Sequence, residues 1–425
     1  ESRQEGRFAL PSGLGLGQAV GRGWTVTADL ALDGVRTQLG SGLPELLLER
    51  LDGRLSIERV ADGYRLSTQG LALRTADGLA LPPTDLELEF RGEASGEQGG
   101  RLAANRLDFD TLARLAAFLP LDEAVRGRLA ALAPQGRLEA LSWRWDGAPA
   151  APRAWAVSAR FAGLGLLAGE GMPGLGGLSG MFDGDEQGGR YRLDSRDAHF
   201  DLPEVFESGR LRFDLLRAEG GWQRRGGRLE ITLDSAQFDN ADAAGSASGV
   251  YRPQAGSAGE IDLQARLTRA EGRAVWRYLP RVVGKETHDW VRDAIRRAEV
   301  PEASLRLRGA LDDFPFRDGN GEFRVAIRVV DGVLDYADGW PPIEGIFGEV
   351  RFIGPGMRIE APRGRIFGVA LSEVVVDMPE LDTEHSDLMT ITGKAAGPTA
   401  EFLRFVSQSP VSARIGGFTD GMRAE

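Results

Sequence analysis

Any catalysis by this chain would have to start from few reagents. Of its 425 residues three are histidine (His199, His288 and His385) and none is cysteine. The histidines lie far apart with no ligand spacing between them, so they read as surface or helix-face residues and not as a metal centre. Without cysteine there is no disulfide, no thiolate metal site and no cysteine nucleophile. Two aspartate pairs, Asp183 with Asp185 and Asp312 with Asp313, have the groups of a glycosidase couple, but that chemistry needs two carboxyls facing each other across a cleft. Both pairs stand beside expected turns, where aspartate bonds to nearby backbone. Trp143, Trp145 and Trp155 have the ring area of a sugar platform. Trp143 and Trp145 share one side of a strand, however, and read first as an apolar sheet face. The run Gly13-Leu14-Gly15-Leu16-Gly17 lacks the preceding strand, following helix and third-glycine spacing of a dinucleotide loop. No catalytic residue, no metal and no cofactor is assigned from these residues. The net charge of −12 also argues against nucleic acid as a partner, since phosphate binding needs a basic surface.

The elements that would position any site are mostly strands. A phrase of the form apolar-x-Gly-x-apolar recurs three times: Leu51-Asp52-Gly53-Arg54-Leu55, Leu178-Ser179-Gly180-Met181-Phe182 and Ile346-Phe347-Gly348-Glu349-Val350. A second alternating strand follows each, through Tyr64-Arg65-Leu66, Tyr191-Arg192-Leu193 and Met357-Arg358-Ile359. Each copy therefore reads as two short strands joined by a turn, and a hairpin must stack on neighbours to bury its apolar side. Turn pairs such as Asp62-Gly63, Asp77-Gly78 and Asp331-Gly332 punctuate the rest. Asp110 is expected to cap a helix with Leu112, Leu115, Ala116 and Leu119 on one side, ended by Pro120, and a second follows with Val125, Leu129 and Leu132. A later pair runs from Ala274 to Leu279 and from Thr287, with Trp290, Val291, Ala294, Ile295 and Ala298 as one stripe ended near Pro301. A further helix is expected at about 399–406. The segments are β-units at 1–107, 135–271 and 301–394, helix pairs at 108–134 and 272–300, and a helix with the start of another unit at 395–425. No apolar run approaches the roughly 18–20 residues that span a bilayer. The chain opens at Glu1 with no leader, as a fragment of a longer protein would.

Alternation also sorts the side chains. Leu86, Leu88 and Phe90 form one row; Ile231 and Leu233, Ile261 and Leu263, Leu305 and Leu307 form others; Phe323, Val325, Ile327 and Val329 form the longest. Polar residues fill the positions between them. The expected fold class is mainly β, an elongated, twisted antiparallel sheet with one apolar and one polar face and short amphipathic helix pairs inserted. The pattern leaves three uses open for the rows. They can be an open apolar groove, the closed core of a structural or adhesive β-repeat protein that binds protein or glycan, or the core of a carbohydrate-active enzyme.

One stretch carries a family resemblance. The Tyr278-Leu279-Pro280 helix end, the Trp290 helix, the Asp313-Phe314-Pro315-Phe316 turn and the block Tyr336-Ala337-Asp338-Gly339-Trp340-Pro341-Pro342-Ile343-Glu344 look like the YhdP branch of the AsmA-like family. Before Trp276 the similarity is one of repeat pattern more than of motif. The resemblance implies a periplasmic part of a bacterial bridge-like lipid transfer protein, not an enzyme, anchored in the inner membrane by a segment absent from this sequence. It implies repeated β-units that form a groove for phospholipid acyl chains, with the apolar rows above as its floor. It also implies transport between inner and outer membrane in support of outer-membrane lipid homeostasis, with the outer membrane or envelope proteins as further partners.

Overall fold

The computed structural model of the chain describes residues 5–8, 24–92, 98–149, 151–169, 172–381, 389–416 and 422; the glycine run at 13–17 and His385 lie outside the described residues. The chain divides into two units, Glu1–Asp201 with Gly221–Arg224, and Leu202–Gly220 with Arg225–Glu425. In the first, strands β1 (Glu5–Phe8), β2 (Thr25–Thr37), β3 (Leu46–Val60), β4 (Gly63–Thr75), β5 (Ala80–Arg91) and β6 (Gly99–Asp108) precede helices α1 (Phe109–Leu115) and α2 (Glu123–Leu132). After these come β7 (Gln135–Ala148), β8 (Ala151–Leu166), β9 (Gly174–Asp185) and β10 (Gly188–Asp201). Each strand pairs antiparallel with the next.

The second unit holds most of β11 (Arg210–Arg225), then β12 (Arg228–Asp239), β13 (Ala243–Arg252) and β14 (Glu260–Glu271). A 3-10 helix at Gly272–Tyr278 and helix α3 (Lys285–Ala294) lead into β15 (Ile295–Ala310), β16 (Glu322–Leu334), β17 (Ile343–Ile353), β18 (Gly356–Ile366), β19 (Val369–Met378) and β20 (Thr390–Ala396). Helices α4 (Thr399–Ser407) and α5 (Val411–Arg414) follow. From β12 to β20 the strands again pair antiparallel in sequence order. The mainly β, antiparallel architecture expected from the alternation is therefore present in both units.

The three repeated phrases are the hairpins β3–β4, β9–β10 and β17–β18. Their strands are long, not short, from 11 residues in β17 to 15 in β3. The reason is a change of phase that strict alternation conceals. The apolar side of β4 reads Leu66, Thr68, then Leu71, Leu73; that of β8 reads Ala159, Phe161, then Leu164, Leu166; that of β16 reads Ile327, Val329, then Gly332, Leu334. Each step of three coincides with a register shift, and Gly70, Gly163 and Asp331 inside those steps have φ of 57°, 64° and 50°. These are β-bulges, which add one residue and bend the strand while keeping the next apolar residue on the same face.

The glycine of the repeated phrase has its own cause. A Cβ on Gly180 would lie 2.1 Å from the Arg192 carbonyl oxygen, and one on Gly348 would lie 2.6 Å from that of Glu360. The neighbouring strand comes so close that no side chain fits.

Two helical expectations need correction. Asp108, not Asp110, caps α1, its carboxylate accepting from the Thr111 N–H at 3.3 Å, while Asp110 accepts from the Gly136 N–H at 3.0 Å. The helix expected to run through Ile295 and Ala298 to Pro301 stops at Ala294, so the helical part of 272–300 is shorter than the stripe suggests. Sheet pairing wins there: the Asp335 N–H donates to the Ala294 carbonyl at 2.8 Å and Ile295 pairs with Leu334. Ile295 is β-branched and suits the extended backbone it adopts.

Candidate functional site

Directly opposed residues on antiparallel strands point to one face, so the registers trace rows across each sheet. In the second unit one row runs Leu267, Ala303, Ile327, Val350, Ile359, Val376, Ile391. Beside it run Ala265, Leu305, Val325, Phe352, Met357 and Met378. A third passes from Leu233 through Gly249 and Leu263 to Leu307 and Phe323, and Ile231 opposes Tyr251, which opposes Ile261. In the first unit Val26, Ile57, Leu66, Leu88, Leu102, Trp143 and Val157 form one row from β2 to β8. Leu86 opposes Thr68 and Ala104; Phe90 opposes Tyr64 and Gly100.

Among the residues picked out by alternation, Phe90 is exposed and all the others are half-buried; none is in the buried core. Ile391, at the end of its row, is 59% exposed. Residues clamped between two layers lose nearly all their surface; these do not. One buried cluster of the first unit sits at one end of the strands, where Leu115 of α1 packs on Val35, Leu46, Leu48 and Leu79; a second, mostly of small side chains, is Ala104, Leu141 and Ala159 on β6–β8, with Leu102, Trp143 and Val157 of the row packed against it. Helix α1 covers the apolar side at the first of these. In the second unit Ala274, Ala294, Ala298 and Val300 are buried where the 3-10 helix and α3 meet β15, and Trp340 from the loop before β17 contacts Phe405 of α4 at 5.9 Å between ring centres.

The opposite face is ionic. Arg306 bonds Asp262 and lies 3.7 Å from Glu322; Arg351 reaches Glu349 at 2.7 Å and Glu360 at 3.6 Å. Arg65 joins Glu58 at 3.0 Å and Glu89 at 3.1 Å. The Arg306 hydrogen bond holds the Asp262 carboxyl below its ordinary value, and Asp262 raises Arg306 in turn. Such pairs are largely solvent-exposed and give a water-loving surface more than stability.

Most of the residues considered for catalysis have close partners, while Asp183 lies within β9 opposite Arg190. Asp185 accepts from the N–H groups of Gln187 and Gly188 at 2.8 and 3.0 Å. Asp312 takes the Ser257 hydroxyl and the Ala258 N–H, and Asp313 accepts from Asn320 at 2.8 Å. His288 is buried against Trp276, with Nδ1 2.7 Å from the Glu207 carboxylate. His199 lies 3.8 Å from Asp201. Trp143 and Trp145 stack at 4.4 Å on the apolar face, and Trp155 opposes Trp145 across the β7–β8 pair. Alternation missed the rows of β17–β20 and β2–β4, although Val350 and Ile359 were in the repeated phrase. Registering the three copies against one another would have found those on β3, β4, β17 and β18.

Comparison with known proteins gives the chain a family. The family described as "YhdP protein" matches residues 2–425. The intermembrane phospholipid transporter YhdP of Escherichia coli (strain K12) is 23% identical over 258 residues, 58% of this chain and 19% of that protein. The chain thus matches about a fifth of that relative's length. No solved structure matches significantly.

Proposed function

This chain belongs to the YhdP family, and we propose that its apolar sheet faces carry phospholipid acyl chains as part of a longer lipid-transfer protein. The observation that carries the reading is the row from Leu267 to Ile391, apolar on every strand from β14 to β20 and buried only at Ala303. At about 0.8 kcal/mol per CH₂, exposing one sixteen-carbon chain to water costs on the order of 12 kcal/mol. A path between membranes therefore needs apolar contact at every step, and a sheet face supplies it without a pocket to trap the cargo. Lipid passage of this kind needs no catalytic group and no cofactor. The floor comprises the rows of β5, β12, β14, β15 and β16 picked out by alternation, half-buried except at Phe90, together with their register partners on β17–β20.

In the cell the chain belongs, on this reading, to the periplasmic part of a protein held to the inner membrane by a segment outside this sequence. It passes phospholipid towards the outer membrane and so supports its barrier. Native mass spectrometry of the chain purified from a bacterial envelope fraction tests the reading. Bound phospholipid is the expected result; a lipid-free chain that takes up neither lipid nor detergent overturns it.

A further inference from the structure

The apolar face of the first unit is not the same at its two ends. Near α1 it is closed and mostly aliphatic: Leu51 and Leu73, with Phe118, pack on the buried Leu115 cluster, Thr111 donates to the Ala80 carbonyl at 3.1 Å, and Arg114 pairs with Asp77 at 3.1 Å. At the far end of the same strands it is aromatic and open. Tyr64 and Phe90 oppose each other and are each 42% exposed; Trp24, 46% exposed, lies 6.3 Å from Tyr64 between ring centres. Phe90 meets the edge of Trp145 at 5.5 Å. The Arg59 guanidinium sits over the Tyr64 ring, 4.5 Å from its centre.

Tyrosine and tryptophan favour places where an apolar phase meets a polar one, because the ring takes one side and the O–H or N–H the other. A guanidinium among them matches a phosphate in charge and donor geometry. The distance between the ends also fits. From Leu66 to Leu73 strand β4 runs roughly 23 Å, enough for an acyl chain that fills about half of a ~30 Å hydrocarbon core.

We infer that a phospholipid lies along the strands of this unit, its acyl chains pointing to α1 and its glycerol–phosphate at the lip formed by Trp24, Tyr64, Phe90 and Arg59. The orientation rests on the lipid reading above, and it fixes which edge of the face the headgroup follows. It excludes the helix-covered end, where a charged phosphate would be buried among Val35, Leu46 and Leu79.

The chain has no cysteine, so a single bimane fluorophore can be placed in otherwise native protein at Tyr64→Cys, at Leu71→Cys nearer α1, and at Phe90→Cys as a second lip position. Each labelled protein is given phospholipid bearing a nitroxide on the headgroup or, separately, near the acyl terminus. At positions 64 and 90 the headgroup nitroxide is expected to remove more fluorescence, and at position 71 the acyl nitroxide. Equal loss with both lipids, or the opposite order, overturns the orientation but leaves lipid binding standing. No loss with either lipid at any position, in protein that keeps its β circular dichroism, overturns both.

Discussion

Gly180 and Asn240 decide local geometry in ways that can be measured. A methyl on Gly180 would stand 2.1 Å from the Arg192 carbonyl oxygen, a backbone atom with nowhere to go, so Gly180→Ala should destabilise the chain by about 2–3 kcal/mol, as overpacking does. Gly127, exposed on α2 with nothing within 4 Å, is the control: alanine there should stabilise by up to about 1 kcal/mol through helix propensity. Urea unfolding of both variants checks the contrast, and equal shifts would refute the close-approach argument. Asn240 is buried and uses every arm of its amide, donating to the Arg212 carbonyl at 2.8 Å and the Tyr278 hydroxyl at 3.1 Å while accepting from the N–H groups of Asp242 and Ala243. Asn240→Ala leaves several buried groups unpaired and should cost about 2–3 kcal/mol in the same assay. Sequence alone made the repeated glycine visible and read Asp185, Asp312 and Asp313 as turn residues, because both signals are local; Asp183, read the same way, lies within β9 opposite Arg190. Sequence alone gave no sign of the buried role of Asn240, whose amide donates to groups 28 and 38 residues away.

Helices and bulges set what each face can do at the scale of the element. Alternation located most strands but gave them half their length, since a bulge resets the phase and the residue beside it looks like an error in the pattern. In β4 that residue is Thr68, whose hydroxyl donates to the Thr84 carbonyl at 3.0 Å and accepts from the Leu86 N–H. The end of α3 was missed for a different reason, that pairing with β16 overrides an amphipathic stripe. Helix α1 braces the end of the first sheet through Leu115, and Leu115→Ala should therefore cost about 2–4 kcal/mol, read as a fall in the urea midpoint. The ionic face predicts an acid response. Hydrogen bonds from Arg306, Arg137 and Arg358 hold Asp262, Glu139 and Glu360 below their ordinary values. A folded-state value below the unfolded one gives stability that is complete above the unfolded value and lost as pH falls through the folded one. The melting temperature should thus stay level from neutral pH to about 5 and drop below about 4, less steeply in high salt. A melting temperature that rises on acidification would contradict the assigned pairs.

For the molecule as a whole, the test is whether the rows act together or one residue at a time. A charge set in an apolar phase costs about 2.5–3.5 kcal/mol, whereas an acyl chain gains about 0.8 kcal/mol per CH₂ buried. One aspartate at Ile327 should then be outweighed by the methylenes that settle around it, and lipid uptake should fall only slightly. Ile327, Val350 and Ile359 oppose one another on three successive strands, so aspartates at all three make a barrier roughly 14 Å wide at ~4.8 Å per strand. Their combined cost, about 9 kcal/mol, approaches what one chain gains from burial. That triple variant should lose lipid uptake in a fluorescent-phospholipid assay. The same number of aspartates scattered at Leu233, Val325 and Val376, each beside intact apolar neighbours, should keep most of it. All six positions are half-buried and outside the buried core, so both triples are expected to retain their β circular dichroism. Equal loss by the two would mean that added charge alone prevents binding; full uptake by the contiguous triple would remove the sheet face as the lipid's path.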